Sequence, residues 1–138
     1  MTSIDLAVAR LRTEEGFRQF AYKDTVGKLT IGYGFNIDAG FDKELCDVIL
    51  AFLARRLDTQ LAAYDWYANL DDTRKSVFLD MGYNLGLDGL LHFTQTISAV
   101  SRADWPAASQ RLLASKAATQ LPKRYQALAN ILETGVIA

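Results

Sequence analysis

Between residues 17 and 35 the apolar spacing changes character, and that change limits the folds open to this chain. Phe17, Phe20, Tyr22, Leu29, Thr30, Ile31, Tyr33 and Phe35 are aromatic or β-prone. Asp24-Thr25-Val26-Gly27 divides them into two runs, as the turn of a β-hairpin does. Gly32 and Gly34 keep the returning strand slim, so that a ligand or another backbone has room to approach. Helical spacing governs the rest of the chain. One small hairpin among helices predicts an α+β protein that is mostly helical.

The helices can be read with their ends. Ile4, Ala7, Val8 and Leu11 follow amphipathic spacing, with Ser3 as the expected N-cap and Gly16 as the stop after Glu14-Glu15. Leu45, Val48, Ile49, Phe52, Leu53, Leu57 and Leu61 mark one long helix entered through Asp42. Asp71 or Asp72 caps the next, which carries Val77, Phe78 and Met81. After a turn at Gly86 to Gly89, Phe93, Ile97 and Val100 predict a further helix. Asp104 caps a helix that tolerates Pro106 in its first turn, and Pro122 opens a last one closed near Gly135.

A chain of 138 residues, half of them hydrophobic and 22% charged, can bury a core without disulfides or metal. Its one cysteine, Cys46, reads as a buried or half-buried apolar residue of the long helix. The single histidine, His92, has no Cys or His at ligand spacing, so no metal site is expected. The same scarcity leaves acyl-transfer chemistry without a base. A net charge of −1 argues against nucleic-acid binding. No stretch reaches the length of a membrane span, and the first residues lack an export signal. Charge is uneven, however. Arg102 to Arg124 holds five basic residues against one acid, Asp104, which is either a solvated helix face or a patch for a polyanionic surface.

The chemistry-bearing residues lie around the hairpin. Glycosidic cleavage needs an acid for the leaving oxygen and a second carboxylate on the other side of the sugar. Glu15 lies at a helix end and Asp24 at a hairpin turn. A chain that leaves the helix and doubles back can bring both to one cleft, with the Thr30 hydroxyl orienting a water against Asp24. On residue types alone, Glu14, Glu15 and Asp24 read first as solvated surface.

The wider pattern separates these readings. Glu15-Gly16, then Tyr22-Lys23-Asp24-Thr25, Gly27, and Thr30-Ile31-Gly32-Tyr33-Gly34 resemble the signature of the T-even-type phage lysozyme family. That family has a Glu, eight residues, an Asp, five residues and a Thr as its catalytic set, and Glu15, Asp24 and Thr30 match both intervals. Tyr83-Asn84-Leu85-Gly86 resembles the family's aromatic-amide-x-Gly element on the carboxy-terminal lobe, and Phe93, Trp105, Pro122 and Arg124 follow at family-like intervals. The resemblance implies a lysozyme-like, two-lobed single domain over 1–138. Its hairpin lobe would span about 14–40, a connecting helix 41–65, and a helical lobe 66–138 together with 1–13.

It further implies a muramidase that hydrolyses the β-1,4 bond between N-acetylmuramic acid and N-acetylglucosamine of peptidoglycan. Glu15 would be general acid, Asp24 general base or electrostatic partner, and Thr30 the residue that positions water. A water held between Asp24 and the sugar needs the wider carboxylate separation, of about 6.5–9.5 Å, and so predicts net inversion at the anomeric carbon. Asn36, Tyr83, Asn84, Thr96 and Arg111 would contact substrate. No cofactor is implied, and the enzyme would be a monomer with no nucleic-acid or membrane-inserted partner. Such enzymes are endolysins, made in the host cytoplasm and reaching the wall once the inner membrane is permeabilised. A lytic transglycosylase on the same fold, or a peptidoglycan-binding relic, are the alternatives. The matched Glu, Asp and Thr weigh against the relic, and anhydro-muropeptide products would identify the transglycosylase.

Two departures stand out. Phe35 occupies the place of a family histidine, removing a structural ion pair, and the segment between hairpin and long helix is shorter, which implies a reduced sheet. Trp66 and Trp105 read as core anchors more readily than as sugar-stacking platforms.

Overall fold

The computed structural model describes residues 1–137. Eight helices and one three-stranded sheet form two compact units, the first being Met1–Val48 and the second beginning at Ile49.

In the first unit, α1 spans Ser3–Glu15. Its N-cap is Thr2 rather than the expected Ser3, and the reason is local. Thr2 Oγ1 accepts the Asp5 amide at 3.1 Å while the Asp5 carboxylate accepts the Thr2 amide at 3.0 Å. This reciprocal cap needs an acid three residues after the cap, and Asp5 stands at that distance from Thr2, not Ser3. The Thr2 amide, and the Thr2 hydroxyl that donates to the same carboxylate oxygen at 2.9 Å, hold the Asp5 pKa below its ordinary value. α1 stops at Gly16, which takes φ +68°.

The sheet is an antiparallel meander of β1 (Arg18–Lys23), β2 (Leu29–Gly32) and β3 (Phe35–Asn36). Tyr22 pairs with Thr30 and Lys23 with Leu29, with an irregularity between Arg18 and Tyr22; Thr30 pairs in turn with Asn36. The hairpin read from the sequence is therefore present, extended by the short third strand. A methyl at Gly32 would lie 2.8 Å from the Phe35 ring, so that glycine gives the aromatic its seat.

α2 (Lys43–Leu61) is the long helix, shorter at both ends than the expected 41–65; the Asp42 carboxylate accepts the Leu45 amide at 2.9 Å. Cys46 on it is exposed, against the expected burial. The apolar residues of α2 occupy too much of its circumference to be covered together, and only Leu57 and Leu61 are buried.

In the second unit follow α3 (Asp65–Ala68), α4 (Asp72–Leu91), α5 (Thr94–Ser101), α6 (Trp105–Leu113), α7 (Lys116–Gln120) and α8 (Pro122–Thr134). Asp71 and Asp104 cap α4 and α6 as expected, and Gly135 ends α8 in the left-handed conformation. The expected turn at Gly86 to Gly89 is instead a kink: Gly86 takes φ +77° and helix resumes beyond it to Leu91. α3 and α7 are too short to show periodicity and escape a sequence reading.

The core gathers Leu57, Leu61, Tyr67, Val77, Phe78, Met81, Leu90, Leu112, Tyr125, Leu128 and Leu132. Burying each large apolar side chain contributes about 1.5–3 kcal/mol. Leu57 packs so closely on Gly82 that a methyl there would lie 2.5 Å from its Cδ2. Arg74 ties the carboxy-terminal helix down: Nε donates to Leu132 O at 2.7 Å and Nη2 to Glu133 O at 3.0 Å. Its guanidinium also lies 3.9 Å from the centre of the Trp105 ring. Carbonyls at a helix end lack intrahelical donors, and Arg74 supplies them. The Tyr67 hydroxyl donates to Asp58; burial first, then that bond and the Asp58 charge, push its pKa upward.

Candidate active site

Glu15 is the last residue of α1, so the glycine stop places its side chain where the chain turns towards the sheet. It is exposed. Its carboxylate packs against backbone: a methyl on Gly34 would stand 2.6 Å from Glu15 Oε2 and 3.3 Å from Cδ. Only a residue without Cβ permits this approach, and Gly34 also takes φ +72°. Sequence reasoning placed Gly34 as a slim strand residue but did not identify what it accommodates.

Asp24 follows β1 and organises the turn. Its Oδ1 accepts two backbone amides, Val26 at 3.0 Å and Lys28 at 2.8 Å, while its own amide donates to Lys28 O at 2.9 Å. One carboxylate oxygen is thus held by the turn, and neither of these bonds uses Oδ2. Asp24 is half-buried.

Thr30, next along β2, is only 4% exposed. Its hydroxyl donates to Lys28 O at 3.0 Å, which leaves the oxygen as an acceptor. Asp24 and Thr30 therefore grip the same residue, Lys28, from its two backbone sides. Asp38 adds a contact that no sequence signal announced, accepting the Leu29 amide at 2.9 Å. Two successive amides at the entrance to β2 are thereby fixed by carboxylates. Asn36 pairs with Thr30 across the sheet; it is half-buried and its Oδ1 accepts the Ala39 amide at 3.2 Å, which is a turn role.

The other expected contact residues belong to the second unit. Tyr83 is 56% exposed, so its ring is available. Asn84 is half-buried, and its Oδ1 accepts the Tyr125 hydroxyl at 2.8 Å. Beside it Arg124 pairs with Asp80 at 2.8 Å. Burial raises the Tyr125 pKa, Arg124 opposing and Asp80 reinforcing the shift. Thr96 is 2% exposed and Arg111 is exposed; both line an open pocket of about 580 Å³ together with His92, Phe93 and Lys116. Tyr83 and Asn84 lie outside that lining. Among the described residues no three His, Cys, Asp or Glu side chains are grouped to hold a metal, and no helix is long and apolar enough to cross a membrane.

A helix-end glutamate, a turn aspartate and a strand threonine carried on a small antiparallel sheet, with a helical unit following, define the lysozyme-like class of α+β protein. The family model described as Phage lysozyme matches residues 12–130, and the chain belongs to that family. Among curated proteins it is similar to probable T4-type lysozyme 2 of Dictyostelium discoideum, at 24% identity over 92% of this chain and 93% of the relative. Probable T4-type lysozyme 1 of the same organism is 22% identical over the same shares.

Proposed function

We propose that this protein is a muramidase of the endolysin type, which hydrolyses the β-1,4 bond between N-acetylmuramic acid and N-acetylglucosamine in peptidoglycan. The observation that carries this reading is the arrangement of the first unit. Glu15 is pressed on the bare backbone of Gly34, and Asp24 is fixed by two amides with a second oxygen directed to no part of the turn.

Glu15 protonates the glycosidic oxygen as the bond breaks, since its carboxyl is exposed at the glycine seat while Asp24 is held by the turn. Asp24 serves the opposite side of the sugar, where its charge stabilises the developing oxocarbenium ion and takes a proton from water. The Thr30 oxygen, its proton committed to Lys28 O, accepts a hydrogen bond from that water and aims it. Water attack gives net inversion. The pocket containing Arg111 and Lys116 suits a polymer that carries stem-peptide carboxylates. The enzyme acts as a monomer, made in a host cytoplasm and admitted to the wall when the inner membrane is permeabilised.

Loss of turbidity of outer-membrane-permeabilised Gram-negative cells tests the reading. Wild type should lyse them and Glu15→Gln should not, because an amide has no proton to donate; Glu14→Gln should lyse them almost as wild type does. General acid catalysis contributes about 10²–10⁴-fold. A folded Glu15→Gln variant that keeps more than about a hundredth of the rate removes Glu15 from the role.

A further inference from the structure

Trp66 and Trp105, expected as core anchors, do pack against the core but are half-buried, and both line one pocket of about 270 Å³ in the second unit. Asp65, Asn69 and Asp71 stand in its wall, and Val100 is among its buried apolar residues. We propose that this pocket is a second saccharide-binding site, which takes one neutral N-acetylated pyranose of a glycan strand; the identity of the sugar rests on the muramidase reading.

The composition selects the ligand class. Small-molecule pockets combine apolar walls with a few placed polar groups, and drug-sized ligands need about 300–1,000 Å³. A space just below that range admits roughly one ring. Indole surface packs on the C–H face of a pyranose, and carboxylate and amide oxygens accept its hydroxyls. Both rings are held by packing partners outside the lining. Trp66 meets Phe78 edge-on with centroids 5.0 Å apart, and Arg74 covers Trp105. No Lys, Arg or His lines the pocket. Arg74 is engaged by Asp71 at 3.3 Å, whereas Asp65 enters none of the ion pairs among the described residues. The Asp65 carboxylate disfavours the bulky, carboxylate-bearing stem peptide that muramic acid carries on its lactyl group, which leaves N-acetylglucosamine as the residue of the strand that fits. Such a site tethers the enzyme to an insoluble polymer and raises the effective concentration of the next bond to be cut.

Trp66 and Trp105 are the chain's two tryptophans, so indole N–H resonances report on this pocket alone. The experiment is an NMR titration of full-length, ¹⁵N-labelled Glu15→Gln protein with the tetramer of N-acetylglucosamine, which requires no turnover. Both indole signals should shift and saturate. Adding Asp65→Ala and Asn69→Ala, two exposed changes that leave the ring packing intact, should weaken the titration about tenfold, the value of two modest hydrogen bonds. The same pair should lower affinity for purified sacculi and leave hydrolysis of a short soluble glycan by the otherwise wild-type chain unchanged. Indole signals that stay in place at saturating tetramer, or a titration indifferent to Asp65 and Asn69, would overturn the proposal. So would tighter binding of methylammonium than of the sugar, which would make the pocket a cation site. Failure here with lysis intact leaves the muramidase reading standing; loss of lysis chemistry with the indole shifts intact would do the reverse.

Discussion

Gly34→Ala separates the seating of Glu15 from the stability of the hairpin. The added methyl lies 2.6 Å from Glu15 Oε2, where ordinary contact begins at 3.4 Å, so the carboxylate must retreat by roughly 0.8 Å. A misplacement of about 1 Å in a catalytic group costs about 10²-fold in rate. The φ of +72° adds strain of about 1–2 kcal/mol for any residue with a Cβ. Gly40→Ala is the matched control. Gly40 has φ +76° in the same unit, but a methyl there meets nothing within 4 Å. Both variants should lose similar stability in urea, because an exposed glutamate side chain rotates away at little cost. Only Gly34→Ala should lose turnover, by about 10²-fold, measured as kcat on purified sacculi with the folded fraction held constant. Equal turnover in the two variants would refute the reasoning, since the acid would then work without its glycine seat.

Asp24→Asn should fold like wild type, because an amide oxygen still accepts the Val26 and Lys28 amides, yet lose about 10²–10³-fold in rate with the charge. Asp24→Ala should also cost about 1 kcal/mol for each lost bond in urea unfolding, and equal melts for the two would deny Asp24 its turn role. Sugar ends freshly released by wild type should be the α-anomer by NMR; a β-anomer would show that Thr30 does not aim the attacking water. Arg74→Ala should lose about 3 kcal/mol, a fall in Tm of about 10 °C, and Arg74→Lys should recover less than half, because an ammonium cannot bridge two carbonyls while covering Trp105. The raised Tyr67 pKa makes the folded state hold a proton that the unfolded state releases, so stability is present below the ordinary tyrosine value and falls as pH climbs above it. Tyr67→Phe should make alkaline unfolding less steep, followed by circular dichroism.

The parts legible in the sequence were those set by short-range rules. The caps at Asp71 and Asp104, the stops at Gly16 and Gly135 and the strand runs about Asp24 all depend on residues within a few positions. So does the interval pattern of Glu15, Asp24 and Thr30. Tertiary contacts set the rest. Gly86 carries the same signal as a helix stop, yet one residue at φ +77° bends the helix without ending it. Cys46 sits on a helix whose apolar residues spread over more than one face, and periodicity does not say which of them is covered. The Gly34 seat and the Asp38 clamp on Leu29 depend on where the chain returns after a turn, a distance the residue types do not encode. The pocket shared by Trp66 and Trp105 joins residues far apart in the chain, and no local window contains both.

In the proposed reaction, water directed by Asp24 and Thr30 completes the cleavage once Glu15 has protonated the leaving oxygen. Digestion of purified sacculi in H₂¹⁸O, followed by mass spectrometry of the muropeptides, tests it directly. Hydrolysis should yield reducing N-acetylmuramic acid ends, each carrying one ¹⁸O atom and absent from digests with Glu15→Gln. Anhydromuramic ends without ¹⁸O would contradict it, because the bond would then have broken by internal attack in the sugar with no water for Asp24 and Thr30 to direct.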